Sequence, residues 1–331
     1  MRKGMNKMNP TNVMRIDPHV HFRDEEQAYK ETIAHGLKVA KEQGVDIVFD
    51  MPNVARPVID EERVKSRLAL VPKGEEKRYY TYIGATKDSV QLKKAVELAK
   101  SNERVCGIKM YAGKSTGNLE IIAEEDQRTV YSTLADEGYT GVLAVHCEKE
   151  AYMKNVFDPK NPFTHSLARP NEAEIESVKD QIKFASETNF KGTFHVCHIS
   201  CKKTIELVEE TRRKGKIRIT CGATPHHSLW SNEMLKRPDG LLYRTVPPLR
   251  SNEDVEALRK ALREGKIDWI ETDHAPHAIG EKLFSEYPNG FPSLFLYKRF
   301  IEETLPSWGL SEKQINDVTS NNITKTFGVK L

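Results

Sequence analysis

The chain has 331 residues, 38% of them hydrophobic and 30% charged, an ordinary balance for a water-soluble globular protein long enough to bury a large core. Its 51 basic and 48 acidic residues leave a net charge of +3, so no polyanion-binding footprint is expected, and no apolar run approaches the roughly 20 residues of a membrane span. No apolar segment follows the charges of the opening MRKGMNKMNPTNVMR, so no secretory signal is read. Five cysteines without a CxxC pair argue against a disulfide framework or zinc ribbon and for a reducing, cytoplasmic setting.

In chain order, short runs rich in β-branched and aromatic residues alternate with runs of helical period. The expected strands are VMRID (13–17), VDIVFDM (45–51), RYYTYIGA (78–85), VCGIKMY (105–111), GVLAVHC (141–147), GTFHVCHI (192–199), KIRITCGA (216–223) and DWIETD (268–273). Between them, segments such as KETIAHGLKVAKEQG and SVQLKKAVELAK carry apolar residues at i, i+3 and i+4, and Gly44 and Gly138 stand where helix-ending glycines belong. About eight strands, each followed by a helical stretch, is the count of a (β/α)8 TIM barrel. A doubly wound open sheet would want a GxGxxG or GxxxxGK turn, and neither is present. No repeat, low-complexity tract or long linker breaks the pattern. Residues 1–331 are therefore read as one α/β barrel domain, with 1–12 a flexible N-terminal extension and 291–331 C-terminal helices.

The 11 histidines are clustered. His35 falls in a helical run and His165 in a loop, while the others form the patches His19/His21, His146, His195/His198, His226/His227 and His274/His277. Each patch lies at or just past the C-terminal end of an expected strand, and in a barrel those ends converge on one mouth. A single histidine there is ordinarily a core or loop residue; convergence from separate strands points to a metal site instead. In an extended strand His19 and His21 point to the same side and can grip one ion. His146 and His198 add imidazoles from strands five and six, and Asp273 adds a carboxylate able to ligate metal and shuttle a proton. Imidazole with carboxylate suits Zn²⁺, other first-row ions being possible. His195, three positions before His198, is expected on the opposite face and is read as structural, as are His226 and His227.

Lys109 in GIKMYAG has two readings. A lysine at the inner end of strand four is ordinarily a snorkelling or salt-bridged side chain. Buried beside cations its pKa falls, and the neutral amine can capture CO₂ as a carbamate, a bidentate anion able to bridge two metals about 3.5–4 Å apart.

The motifs IDPHVHFRD, DMPN (50–53), GIKMY, VHCE, HVCHIS, ATPHH and ETDHAPH, in this order, resemble the amidohydrolase superfamily and, within it, the dihydroorotases. GFPS and NITKTFG extend the resemblance to the C-terminal segment. It implies a binuclear zinc site, with His19, His21, carboxylated Lys109 and Asp273 around one ion and Lys109, His146 and His198 around the other. GIKMY matches the lysine-bridged members rather than those that bridge with aspartate. The implied activity is the reversible cyclisation of N-carbamoyl-L-aspartate to L-dihydroorotate and water in pyrimidine synthesis. A metal-bridging hydroxide would be the nucleophile and Asp273 the general acid and base. The implied substrate anchors are Arg23, Asn53 and His277, with Ser115 or Thr116 touching substrate from a lid in KSTGNLEI. The implied partner is a small-molecule substrate, with neither nucleic acid nor membrane; a homodimer or association with aspartate carbamoyltransferase is compatible with the family.

Other readings of the same residues remain open. Arg23 can pair with Asp24 or Glu25 at the surface, and Asn53 and His277 can be turn and loop residues. The sequence also departs from the family pattern. Val246 stands where relatives often have Asn or Arg, so a polar substrate contact is either missing or supplied by Arg244 or Arg250. Gly222 stands where many have Glu, and Ser293, Leu294 and Phe295 replace Gly-Leu-Glu. Allantoinase and hydantoinase-like cyclic amidases share the barrel and metals but lack the substrate carboxylate that Arg23 would bind. A non-catalytic partner of the transferase would be expected to have lost ligands. The absence of tens of residues before His19 leaves no sequence for the accessory β-sandwich of larger relatives, so a bare barrel is expected.

Overall fold

Alternation along each strand divides its side chains into two sets, and a closed sheet buries both, one inside the barrel and one under the helices. The computed structural model describes residues 13–114 and 118–329, so the extension expected over residues 1–12 lies outside the described residues. All eight strands form: β1 (Ile16–Val20), β2 (Ile47–Asp50), β3 (Tyr79–Gly84), β4 (Val105–Ala112), β5 (Val142–Cys147), β6 (Thr193–Val196), β7 (Arg218–Ala223) and β8 (Trp269–Ile270). They pair in sequence order, every pair parallel. Just past β8, a parallel bridge joins His274 to Val20, His21 N–H donates to His274 O (2.8 Å) and Asp273 N–H to His19 O (3.0 Å). These contacts close the barrel. The eighth strand is shorter than DWIETD suggests because its later residues turn from β7 to bond β1.

The outward set, including Val20, Val48, Ile83, Ile108, Met110, Leu143, Val145, Phe194 and Val196, packs under the helices. The inward set, including Ile16, Phe49, Met51, Tyr82, Ala144, Cys197 and Trp269, fills the barrel. Phe327, at the end of the last helix, plugs the strand-start end, its ring centroid 5.0 Å from that of Phe49 and 5.6 Å from that of Trp269. Crossover helices such as Ile33–Glu42 follow from local chemistry. Thr32 caps it by accepting from His35 N–H at 3.1 Å, and Ile33, Gly36, Leu37 and Ala40 form its buried stripe. Gly44 follows with φ 75°, the left-handed conformation glycine tolerates. Gly36 permits a close approach, since a Cβ there would lie 2.4 Å from the Phe22 ring.

The expected C-terminal helices appear between Ser293 and Phe327, with wider π turns at Phe300–Thr304 and Asp317–Asn321. His165 lies in the short helix Thr164–Ala168, not a loop, and is buried with Nε2 2.7 Å from Thr245 O. None of the described helices is long and apolar enough to cross a membrane.

Candidate metal centre and active site

The strand ends deliver the predicted residues to one cavity of about 360 Å³, within the usual range for a small-molecule site. His19, His21, Arg23, Asn53, Lys109, His146, His198 and Asp273 all line it. A larger cavity of about 910 Å³ opens at the other end of the barrel, among strand starts and Phe327–Val329. It gathers none of these groups, and barrel enzymes work at the C-terminal face.

Two pairs of imidazoles converge. Nε2 of His19 and Nε2 of His21 are 3.2 Å apart, and Asp273 Oδ1 lies 3.4 Å from the first and 2.9 Å from the second. Nδ1 of His146 faces Nε2 of His198 at 3.3 Å. His19, His21 and Asp273 form a buried group whose ligand atoms are close enough to share one metal ion. Two of the rings are held in a form that suits that use. Burial pushes His21 down to about 4. Burial also holds His198 well below its ordinary value, reinforced by the neighbouring His146, His19 and Lys109. Both therefore present neutral rings at neutral pH, the form that ligates metal. Burial alone would raise Asp273, but the hydrogen bond from His21 and the neighbouring His19 imidazole hold it ionised well below the carboxylate range. Asp273 (φ 50°) and His198 (φ 38°) both have left-handed backbones, uncommon for these residue types and concentrated at functional positions.

Neighbouring groups orient the rings. Asn53 Oδ1 lies 2.8 Å from His21 Nδ1, so an N–H there donates to the amide and leaves the Nε2 lone pair facing Asp273 and His19. Glu148, fully buried, lies 3.1 Å from His146 Nε2 and takes a forked bond from Arg169 (2.6 and 3.1 Å). Burial would raise that carboxylate; Arg169 and His146 outweigh it and keep it ionised.

Lys109 is completely buried on the inward face of β4. Its Nζ donates to Cys197 Sγ at 3.1 Å and stands 4.9 Å from the centre of the Tyr111 ring. No carboxylate pairs with it among the described residues. The snorkelling and salt-bridged readings are thus both unmet. Burial would raise the Cys197 thiol, but Lys109, His19 and His195 bring it to about 5.

Arg23 is 3% exposed and does not pair with Asp24 or Glu25. Its Nε donates to Pro276 O at 3.2 Å, and its Nη2 lies 3.2 Å from His277 Nε2. His277 sits behind Arg23 rather than on the cavity wall, its Nε2 3.0 Å from Asn289 O. It supports the arginine and the 288–290 loop. Ser115 and Thr116 lie outside the described residues. Val246 lines the cavity, but neither Arg244 nor Arg250 reaches it. Arg244 stacks 3.8 Å from the Phe157 ring centre and donates to Tyr287 O, while Arg250 serves Ser200 Oγ and Arg169 O.

No protein-family model matches the chain. Among curated proteins, a dihydroorotase of Listeria innocua is 33% identical over 81% of this chain and 61% of its own length. A dihydroorotase of Geobacillus sp. (strain WCH70) is 30% identical over 96% of this chain and 73% of its own. The chain belongs to the dihydroorotase family. It spans about 61–73% of the length of these family members. Solved structures agree on the fold. L-hydantoinase of Arthrobacter aurescens superposes with TM-score 0.80 at 18% identity, covering 95% of this chain and 70% of that one. Dihydroorotase of Saccharomyces cerevisiae in complex with 5-fluoroorotic acid gives 0.75 at 18%, covering 96% and 85%.

Within this dihydroorotase-family cavity, sequence reasoning overlooked Arg169, Tyr111 and Asn289, which line the wall. Arg169 had no signal beyond a lone arginine before a proline, and Tyr111 was visible only as the residue two beyond Lys109, on the same inward face. His195 also differs from expectation. It faces the barrel interior, its ring 4.3 Å from that of Trp269, with Nε2 3.1 Å from Glu271 Oε2. The left-handed turn at His198 breaks the alternation on which the expectation rested.

Proposed function

We propose that the chain is a zinc-dependent dihydroorotase, interconverting N-carbamoyl-L-aspartate and L-dihydroorotate plus water. The observation that carries this reading is the pairing of the convergent imidazole and carboxylate cluster with a buried arginine facing the same cavity. The donor set fits metal. Two pairs of buried imidazole nitrogens stand 3.2 and 3.3 Å apart, a spacing that needs a shared proton or a cation between each pair. His19, His21 and Asp273 would hold one zinc and His146 and His198 a second, and a carboxylated Lys109 would supply ligand oxygens to the pair. Carboxylation of the neutral amine by CO₂ forms the N–C bond and releases one proton, and it gives an anion in place of a side chain that has no carboxylate partner among the described residues. When bound, the two ions would lower the pKa of water and polarise the ring amide.

The remaining work falls to the chain. Asp273, held ionised, accepts the proton released as water adds to the amide carbonyl. It delivers that proton to the departing ring nitrogen, and in the condensing direction the same oxygen runs the transfer backwards. Arg23 offers a fork for the substrate carboxylate. His277 and Pro276 O fix its plane, and Asn53 joins it while aligning His21. Burial of Arg23 makes an unpaired guanidinium costly, so a substrate carboxylate is its natural counterion. The five unpaired cysteines support a reducing cytoplasmic setting.

The test is turnover of dihydroorotate by protein expressed with zinc and bicarbonate, with allantoin and hydantoin alongside. Dihydroorotate should be strongly preferred. Arg23→Met should cut its kcat/KM by about 100-fold or more, the loss of a buried charged hydrogen-bond pair, while sparing any turnover of substrates without a carboxylate. Preferred turnover of hydantoin, or an unaffected Arg23→Met, would refute the assignment.

A further inference from the structure

Glu271 has no part in the roles above, yet its carboxylate lies inside the barrel one layer below the metal-binding cluster. Trp269, Glu271 and Asp273 alternate onto the same inward side. Oε2 of Glu271 accepts from Trp269 Nε1–H and His195 Nε2–H, each at 3.1 Å. Oε1 accepts the backbone N–H of His198 and lies 3.8 Å from His19 Nδ1. The bond to His198 is the informative one. Phe194 and Val196 face outward under the helices, so simple alternation would send His198 outward too. Its left-handed backbone (φ 38°) turns the ring to His146 instead, and Glu271 grips the amide at that turn.

The space the carboxylate occupies is created on the neighbouring strand. A Cβ on Gly222 would lie 2.4 Å from Glu271 Cδ and 2.6 Å from each of its oxygens, so no side chain fits there while the Glu271 carboxylate keeps this position. The Cβ–Cδ distance within a glutamate is about 2.5 Å, two carbon–carbon bonds at a tetrahedral angle. A glutamate at position 222 would therefore bring its carboxylate to the same point from β7. Positions 222 and 271 are alternative origins for a single buried carboxylate.

We infer that Glu271 is a positioning residue of the metal centre, supplying from just past β8 the carboxylate that sets His198 and backs His19, with Gly222 reduced to hydrogen to admit it. The inference rests on the metal-site reading above, and its main readout needs no substrate. Zinc retention against a competing chelator is measured for the wild type, Glu271→Ala, Glu271→Gln, Gly222→Glu and the double variant Gly222→Glu/Glu271→Ala, with dihydroorotate turnover alongside. Loss of an outer-shell partner costs about 10- to 100-fold in metal affinity, and Glu271→Ala should show it. Glu271→Gln should show it too, because an amide nitrogen must then face an N–H donor. Gly222→Glu alone should be the poorest, with two carboxylates forced into one place. The double variant should recover most of the zinc affinity and turnover lost by Glu271→Ala, which a residue needed only as structural filler would not predict.

A double variant no better than Glu271→Ala overturns the inference, as does Glu271→Gln with wild-type zinc affinity. If the double variant does not fold, the glutamine variant decides. A wild type that holds zinc but leaves dihydroorotate untouched refutes the proposed activity and leaves this inference standing on the zinc data. A wild type that holds no zinc refutes both.

Discussion

Replacing Arg67 by methionine tests how the chain beyond the HxH pair is held. Arg67 is 0% exposed and donates to Phe22 O at 2.7 Å, Arg23 O at 2.8 Å and Asp50 Oδ2 at 2.6 Å. Asp50 is equally buried and also accepts from Phe22 N–H at 2.8 Å and Tyr79 O–H at 2.5 Å. Methionine fills similar space but strands the carboxylate, and breaking one side of a buried ion pair costs about 3–5 kcal/mol. At an unfolding entropy of about 2.1 cal/mol/K per residue, a 331-residue chain loses roughly 1.4 °C per kcal/mol, giving a Tm drop of about 4–7 °C. Since Arg67 also grips the carbonyl of Arg23, KM for dihydroorotate should rise more than kcat falls. The assay is thermal and urea unfolding of Arg67→Met, Asp50→Asn and the double variant. Removing both charges should recover about 1–3 kcal/mol relative to the sum of the singles, the coupling expected of groups in direct contact. A Tm within 1 °C of wild type, or strictly additive losses, would refute the reasoning.

Two further outcomes follow from groups away from the candidate ligands. Burial, reinforced by Arg244 and Arg169 and opposed by Glu148, pushes His165 down to about 3, so it stays neutral in the fold while the unfolded imidazole titrates near 6.5. Its contribution to stability is complete above about 6.5 and is lost as pH falls toward 3. Between pH 7.5 and 5 the wild type should therefore lose about 2 kcal/mol more than His165→Phe by urea unfolding; equal losses would contradict the assignment. Gly36→Ala drives a methyl to within 2.4–2.6 Å of the Phe22 ring and should cost about 1–3 kcal/mol. Adding Phe22→Leu should return part of it, and a neutral Gly36→Ala in thermal unfolding would mean that the helix does not sit against Phe22.

Much of this was legible in the sequence, because buried parallel strands read as continuous apolar runs and barrel strand ends collect function on one face. His19, His21, His146, His198 and Asp273 could be placed at one mouth from chain position, whereas Lys109 joined them as a bridge only through the family resemblance. Their mutual supports could not. Asn53 was read as a contact to substrate, and its bond to His21 shows only when β2 is laid beside β1. Glu271 looked like one more acidic residue until Gly222 was seen to leave room for it. His195 was set on the wrong face because strict alternation holds only while φ stays negative, and His198 breaks it. His277 reached the right neighbourhood but stands behind Arg23, a distinction that depends on the path of the 288–290 loop.

The ladder that closes the barrel joins residues far apart in time as well as in sequence. His21 and Asp273, 2.9 Å apart, are separated by 252 positions, so a ribosome that has released the first histidines must make most of the barrel before their carboxylate exists. No shorter fragment holds both sides of that site, and loop-closure cost places such distant contacts late in folding. Capture of a metal by these groups would thereby be deferred until β8 docks on β1. An ion bound there bolts together the first and last strands, and a chelator added during refolding should slow the final closure rather than the earlier pairing of β2 through β7.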